Sequence, residues 1–315
     1  MHSGYEHRGP EEREERQTHP EVTGVHDLVE VRAQIRDARQ LRDRHLLVCM
    51  SGSFVGRVHS LGDKPCTIGR QQGYEVWVPD NGVSRQHARI ERDGDGYRLT
   101  DLDSANGTYM DGERVTRRRL SDGDLIQLGP AALFRYIVAD ADHERMLTSL
   151  YEASVRDPLT AAYNRDYFDE RLRAEVAFAR RHRTEVALVM LDIDHFKNVN
   201  DTYGHPAGDQ VLMQLSNCVR QSIRLEDVLV RYGGEEFAVV LRNIESAGTL
   251  VVAERLRRLV ETMEISAAGT TIRITASFGC ATLADCGEVS AAALIQAADQ
   301  RLLRAKREGR NRVVG

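Results

Sequence analysis

The chain has 315 residues, 43 Lys and Arg against 48 Asp and Glu, a formal net charge of −5, and 41% hydrophobic residues. That length suggests about two domains, and the slight acidity argues against a global basic field for nucleic acid. No apolar run approaches the roughly 18–20 residues that span a bilayer, and the N-terminus lacks a signal-peptide apolar core. Cys49, Cys66, Cys218, Cys280 and Cys286 are odd in number and lack Cys-x-x-Cys spacing. They point to reduced thiols and a cytoplasmic location rather than a disulfide framework or structural zinc.

Residues 1–26 are polar and read as a disordered tail. Residues 27–45 read as a helical segment, with Leu28, Val31, Ile35 and Ala38 at 3-4-3 spacing. From 46 to 138 short β-type runs alternate with Gly, Asp and Asn: Leu46–Val48, Cys66–Ile68, Glu75–Val78, His87–Ile90, Tyr97–Leu99, Leu125–Leu128 and Phe134–Ile137. That texture predicts a β-sandwich, with hairpin signals at Asn106-Gly107 and Asp111-Gly112. Residues 139–156 read as a linker helix with a stripe of Met146, Leu147, Leu150 and Ala153-Ser154, stopped by Asp157-Pro158.

Over 157–315 strands and helices alternate. Val186–Leu191 is a continuous apolar strand of the buried type. A helix over 207–224 presents Val211, Leu212, Leu215, Val219 and Ile223. A helix over 246–262 places Leu250, Val251, Ala253, Leu256 and Val260 toward a core. A strand over Ile272–Phe278 leads to a last helix from about 290 to 308. Hairpin connections predict a mostly antiparallel sheet.

Within this part, Arg231-Tyr232-Gly233-Gly234-Glu235-Glu236-Phe237 lies between the apolar runs Val228–Val230 and Ala238–Leu241. Gly-Gly between two β-type runs predicts a tight hairpin. Two adjacent carboxylates at its tip repel unless a cation lies between them; alone, the pair also reads as an acidic surface turn. Asp192-Ile193-Asp194-His195-Phe196-Lys197 ends the apolar strand. If that strand borders the hairpin, Asp192 faces Glu235 and Glu236, a hard-oxygen set suited to Mg²⁺ with substrate phosphates. By spacing alone, Asp192 reads equally well as the cap of a helix starting near His195.

Together these stretches resemble the GGDEF domain of bacterial diguanylate cyclases, here with Gly-Gly-Glu-Glu-Phe. The likeness extends over 157–315. It includes Asp157-Pro158-Leu159-Thr160, Asn164-Arg165, and Ala305-Lys306-Arg307-Glu308-Gly309-Arg310-Asn311-Arg312. The resemblance implies an α+β, ferredoxin-like nucleotidyl cyclase palm that condenses two GTP into cyclic di-GMP and two pyrophosphates. It implies that Asp192, the carbonyl of Ile193, Glu235 and Glu236 hold Mg²⁺, two per active site, with Mn²⁺ an alternative. Glu235 would also be the catalytic proton acceptor for the 3′-hydroxyl. Asn200 and Asp209 would read guanine, with His205 lining the pocket. Lys306 and Arg310 would bind the triphosphate, with backbone N–H groups at Phe196 and Lys197. Because each 3′-hydroxyl must meet the other nucleotide's α-phosphate, the active species would be a homodimer.

Arg224-Leu225-Glu226-Asp227 stands five residues before Gly233 and resembles the family's Arg-x-x-Asp inhibitory product site. Arg255 matches a secondary Arg of that site. Out of context, Arg224 and Asp227 read as a surface pair at a helix end. Three positions depart from the family pattern: Ala161 stands for a usual Gly, Leu303 for a frequent Tyr, and Arg301 for a small residue. None is a metal or base position.

Upstream, Gly69-Arg70, Ser84-Arg85-Gln86-His87 and Ser104-Ala105-Asn106-Gly107-Thr108 resemble, in that order, the forkhead-associated (FHA) domain, a β-sandwich that binds phosphothreonine. The likeness covers 46–138. It implies that Arg70 and Ser84 hold the phosphate and Arg85 and Asn106 the peptide backbone, with Thr108 supporting the pocket and His87 bracing the loop. Arg supplies the charge-assisted fork that a dianion needs. Thr18 and Thr23 of the tail are candidate phosphorylated ligands, beside an unrelated phosphoprotein. The expected protein is therefore an all-β FHA sandwich followed by a cyclase palm. Its partners are GTP, cyclic di-GMP, a phosphothreonine peptide and a second copy of itself, without nucleic acid or membrane. The alternative is a catalytically silent adaptor that binds a phosphoprotein and cyclic di-GMP.

Overall fold

A computed structural model describes residues 42–52, 54–130 and 132–315. The expected tail, with Thr18 and Thr23, lies outside the described residues, as does the helical segment up to residue 41. Arg44 and His45, expected at that segment's end, instead open the first strand by pairing with Ala139 and Val138. Among the described residues no helix is long and apolar enough to cross a membrane.

Among the described residues, eleven strands build the sandwich. They are β1 (Arg44–Cys49), β2 (Val58–Ser60), β3 (Cys66–Gly69), β4 (Val76–Trp77), β5 (Ala88–Asp93), β6 (Gly96–Asp101), β7 (Thr108–Met110), β8 (Glu113–Val115), β9 (Arg117–Arg119), β10 (Leu125–Leu128) and β11 (Ala132–Ala139). One sheet runs β2-β1-β11-β10-β7-β8 and the other β4-β3-β5-β6-β9. Alternate residues of β5, β6 and β10 are buried, as one-sided burial of a pleated strand requires. Leu47, Ile68, Ile90, Leu99, Ile126 and Phe134 meet between the sheets. Asp111 and Gly112 both take positive φ and turn β7 into β8, the backbone a tight hairpin demands. Asn106-Gly107 is not a hairpin. It lies on the crossing from β6 in one sheet to β7 in the other, and β7 pairs with β10 and β8 instead.

The second part comprises α1 (Ala141–Val155), α2 (Arg165–His182), β12 (Val186–Ile193), α3 (Phe196–Tyr203), α4 (His205–Ser222), β13 (Val228–Gly233), β14 (Glu236–Arg242), α5 (Ser246–Thr262), β15 (Ile265–Ala267), β16 (Thr270–Ile272), β17 (Ala276–Thr282), α6 (Ala291–Arg307) and β18 (Val313–Val314). Its main sheet runs β13-β14-β12-β17-β18, antiparallel except for the β17–β18 pair. β12 is central and buried along its whole length. Ala187, Val189 and Leu191 share a core with Val211, Leu215 and Leu256 of α4 and α5. Leu188 and Met190 point the other way, to Phe168, Leu172 and Val176 of α2 and Leu294 and Leu302 of α6. Gly279 permits the α6 contact: a Cβ there would lie 2.2 Å from Ala298 O and Leu302 N.

Two further expectations need correcting. The strand predicted over Ile272–Phe278 is broken between β16 and β17, because Asp194 N donates to Thr275 O (2.9 Å) and draws that stretch aside. Val251 is 70% exposed, so it leaves the inner face of α5. The stripe of α1 lies open, with Met146 and Leu150 60% and 58% exposed.

α2 also seats the sandwich, since its other side faces Phe54, Gln72 and Trp77. The Arg171 guanidinium lies 4.8 Å from the Trp77 ring centre and 5.7 Å from that of Phe54. Glu170 accepts from Phe54 N at 2.9 Å. The buried Glu175 pairs with Arg171 (2.7 Å) and Arg242 (3.1 Å) and accepts from Gln72 Nε2 (3.0 Å). Arg242 closes the group by also donating to Gln72.

Candidate functional site

The glycine turn is held from behind. Arg231 donates from Nε and Nη2 to Gly234 O (3.1 and 2.8 Å) and from Nη1 to both Asp157 oxygens (3.1 Å each). Asp157 also accepts from Thr160 N (2.8 Å) and Oγ1 (2.6 Å). Burial alone would raise the pKa of Asp157. The Thr160 bonds and the Arg231 pair outweigh it and hold the carboxyl below its ordinary range. Ala161 follows with φ +55. That left-handed backbone is the physical reason for glycine in the family pattern.

Asp192 lies directly opposite Glu236 on β14 and Ser277 on β17, so their side chains share a face. Glu235 caps the strand end, and its carbonyl accepts from Ile193 N at 3.4 Å. Asp192 is buried, and its Oδ2 lies 2.7 Å from Lys306 Nζ. Burial raises its pKa against the pull of Lys306 and Arg310. The pKa of Glu235 is raised by burial first, then by the charges of Asp192 and Glu236, against Lys306. His195 precedes α3 with φ +57 and makes no side-chain cap bond; Asp192 is committed to Lys306, which disfavours the capping alternative.

No group of three His, Cys, Asp or Glu side chains is closed around one point among the described residues. The donor set nevertheless fits a hard divalent cation. The Lys306 ammonium already stands on Asp192 as a cation, and mutual repulsion leaves Glu235 short of positive charge.

The other expected site residues fall around this point. Phe196 and Lys197 open α3. Asn200 lies against α4, where a Cβ on Gly208 would meet its Oδ1 at 2.0 Å. His205 and Asp209 are exposed on the first turns of α4. Arg310 follows the end of α6 with φ +62, its N–H bonded to Ala305 O (3.0 Å). Asp194 is a residue to which the sequence assigned no role. It accepts from Thr275 Oγ1 (2.7 Å), Ser277 Oγ (2.7 Å) and Asn311 N (3.0 Å), tying the Arg310–Asn311 segment to the sheet. Its place two residues after Asp192, just past the end of β12, was the available signal.

In the loop after α4, Asp227 Oδ2 accepts from Arg224 N at 3.0 Å. The pair is thus a turn closed through the backbone, with the Arg224 side chain exposed. Arg255 Nη2 donates to Ser222 O at 2.6 Å, beside that loop. Arg224 and Glu226 line a cleft of about 390 Å³ with Gln72, Glu175 and Arg242.

At the sandwich end, Arg70, Ser84, Arg85 and Asn106 line a separate cleft of about 390 Å³. Gly69 lets its loops meet, since a Cβ would lie 2.2 Å from Arg85 O. The buried His87 accepts from Ser84 N at Nδ1 (3.0 Å) and donates from Nε2 to Gly107 O (3.1 Å). Burial lowers its pKa, which suits that neutral bracing role. Asn106 donates to Gly82 O (2.8 Å). Thr108 lies beneath the cleft, wholly buried, and donates to Asp101 (2.5 Å).

Residues 154–312 match the family model described as "Diguanylate cyclase, GGDEF domain", and residues 66–129 match the FHA domain model. The probable diguanylate cyclase DgcT of Escherichia coli (strain K12) is 41% identical over 161 residues, 50% of this chain and 35% of that protein. Diguanylate cyclase DosC of the same strain is 38% identical over 174 residues, 53% of this chain and 37% of that one. The matches thus span little more than a third of these relatives' length. Among solved structures, Pseudomonas aeruginosa diguanylate cyclase SiaD in complex with its activator SiaC aligns with TM-score 0.51 at 38% identity, covering 55% of this chain and 66% of that one. The coiled coil and GGDEF domain of Caulobacter crescentus DgcB, in complex with c-di-GMP, aligns with TM-score 0.51 at 33% identity, covering 55% and 93%. With an FHA domain on its N-terminal side, this chain belongs to the diguanylate cyclase GGDEF family.

Proposed function

We propose that the chain condenses two GTP into cyclic di-GMP and two pyrophosphates, under control of phosphothreonine recognition and of its own product. The observation that carries this reading is the register of Asp192 opposite Glu236 at the end of β12, next to the turn that holds Glu235, with the Lys306 ammonium on Asp192. Asp192, the Ile193 carbonyl, Glu235 and Glu236 would hold Mg²⁺ there, which when bound acidifies the attacking hydroxyl and steadies the leaving pyrophosphate.

Glu235 is the group placed to take the proton of the 3′-hydroxyl, and its raised pKa strengthens it as a base. The 3′-oxygen forms a bond to the α-phosphorus of the second nucleotide as the bond to pyrophosphate breaks. Two copies of the chain must face each other for both bonds to form. Asn200 and Asp209 would bind guanine, whose N–H donors match acceptor oxygens, with His205 beside them. Lys306, Arg310 and the N–H groups of Phe196 and Lys197 would take the triphosphate. Arg224, Asp227 and Arg255 would bind product. Arg70, Ser84, Arg85 and Asn106, supported by Thr108, would bind phosphothreonine. One candidate ligand is the tail at Thr18 or Thr23; mass spectra from native cells in which both are always unmodified would remove it.

The test is purified full-length chain with GTP and Mg²⁺, after bound product has been stripped with a phosphodiesterase that is then removed. Formation of cyclic di-GMP is expected. Its absence would leave the adaptor reading, in which Arg224 and Asp227 bind cyclic di-GMP without synthesis.

A further inference from the structure

The phosphothreonine cleft is not lined by the sandwich alone. The last turn of α2, carrying Arg180 and Arg181, reaches its rim. Arg181 donates to Asn81 Oδ1, the same oxygen that Arg70 Nη1 approaches at 3.5 Å. Two guanidinium groups therefore share one neutral amide oxygen. Among the described residues, no carboxylate forms an ion pair with Arg70, Arg85 or Arg181. Asp103, the one acidic residue lining the cleft, pairs with no cation there.

Arg70 Nε is buried without a hydrogen-bond partner. Arg70 is otherwise well fixed, since its carbonyl accepts from Trp77 Nε1 at 3.1 Å and its N–H bonds to Ser84 O at 2.9 Å. The pKa of Arg181 is lowered, first by partial burial and then by the charges of Arg70 and Arg180.

Elsewhere along α2 the arginine facing the sandwich is neutralised: Arg171 has Glu175 at 2.7 Å. Only at the cleft does the helix bring up a cation that meets another cation. Like charges gathered without a counter-charge favour an anion between them, and a guanidinium fork suits a phosphate.

We propose that Arg181, a residue of the cyclase domain, is a phosphate-binding residue of the phosphothreonine cleft, so that this site is assembled from both domains. The proposal rests on the phosphothreonine reading of the cleft. It has a mechanical consequence. The opposite face of α2 packs Phe168, Leu172 and Val176 against the catalytic sheet. A phosphopeptide that engages Arg70 and Arg181 together clamps the sandwich to α2 and opposes separation of the two domains.

The test uses the full chain and an immobilised degenerate peptide pool with one fixed phosphothreonine, beside matched pools bearing threonine or phosphoserine. Wild type is retained on the phosphothreonine pool, and Arg70→Ala is not. Arg181→Ala weakens binding about ten- to a hundred-fold, the loss of one charge-assisted contact. Arg181→Lys recovers part of that loss, and Arg180→Ala stays near wild type. Independently, hydrogen exchange of wild type slows in the last turn of α2 when a peptide selected from the pool is bound. If Arg181→Ala binds like wild type while Arg70→Ala fails, or if α2 exchange is unchanged on binding, the proposal is overturned and the phosphothreonine reading stands. If wild type prefers no phosphorylated pool, the reading fails and takes the proposal with it.

Discussion

At the end of β12 the Asp192 carboxylate pairs with the Lys306 ammonium; at the rim of the sandwich cleft two guanidinium groups share the amide oxygen of Asn81. The difference follows burial. Asp192 is 5% exposed, where an unpaired charge is costly, and it keeps an internal cation. Arg181 is exposed, where water screens repulsion, and it is left without a counter-charge. The buried Asp192 is paired within the chain, whereas the arginines of the open cleft would gain their counter-charge from the proposed ligand. α2 joins them, packing on the catalytic sheet with one face and on the sandwich with the other.

The largest effect is expected from Asp192→Ala. It removes a proposed cation ligand and the partner of Lys306, and cyclic di-GMP formation should fall about a hundred- to a thousand-fold or more. A rate near wild type would dissociate the end of β12 from the chemistry. Next comes the seat between the domains. Glu175→Gln leaves Arg171 and Arg242 facing a neutral amide in a buried network. It should cost about 3 kcal/mol of unfolding free energy, read as a lower urea midpoint; a change under about 0.5 kcal/mol would show that the seat carries little.

Acid sharpens the contrast between paired and unpaired charge. The hydrogen bond from Arg301 draws the Asp285 carboxyl down to about 2 from an ordinary 3.8, outweighing its partial burial. A depressed carboxylate contributes stability above its unfolded pKa and loses it as pH falls through the folded one. The stabilising contribution should therefore be present above about pH 4 and fade toward pH 2. In Arg301→Gln, stability should vary less over that window; an identical pH dependence in wild type would exclude the pair as its source. The smallest effect is Ala161→Gly. Relief of the φ of +55 should stabilise the chain by about 0.5–1 kcal/mol, visible as a raised midpoint; a lowered one would mean that the Ala161 methyl is stabilising.

Much of the fold was legible where apolar pattern and length agree. β12 is a long apolar run, α4 and α5 carry clear stripes, and the predicted hairpin joins β13 to β14, with Gly234 and Glu235 at its turn and Gly233 paired in the ladder. The short strands β2, β7, β8 and β9 were not read, because three residues hold too little alternation; β9 is three arginines. α2 was missed for another reason. It buries Phe168, Leu172 and Val176 on one side but meets the sandwich with Glu170, Arg171 and Glu175 on the other, so charge dilutes its period. At the candidate site, motifs identified the carboxylates and the arginines. They did not show that Lys306 rests on Asp192, that Asp157 anchors Arg231, or that Arg181 meets Asn81. Each of those pairs joins residues far apart in the chain, which no local pattern encodes.

The most direct measurement compares wild type with Glu235→Gln in two assays on the same preparations, cyclic di-GMP formation from GTP with Mg²⁺ and binding of cyclic di-GMP at equilibrium. Glu235→Gln is expected to lose synthesis and to keep product binding at Arg224 and Asp227. Synthesis retained in Glu235→Gln would contradict the role proposed for Glu235.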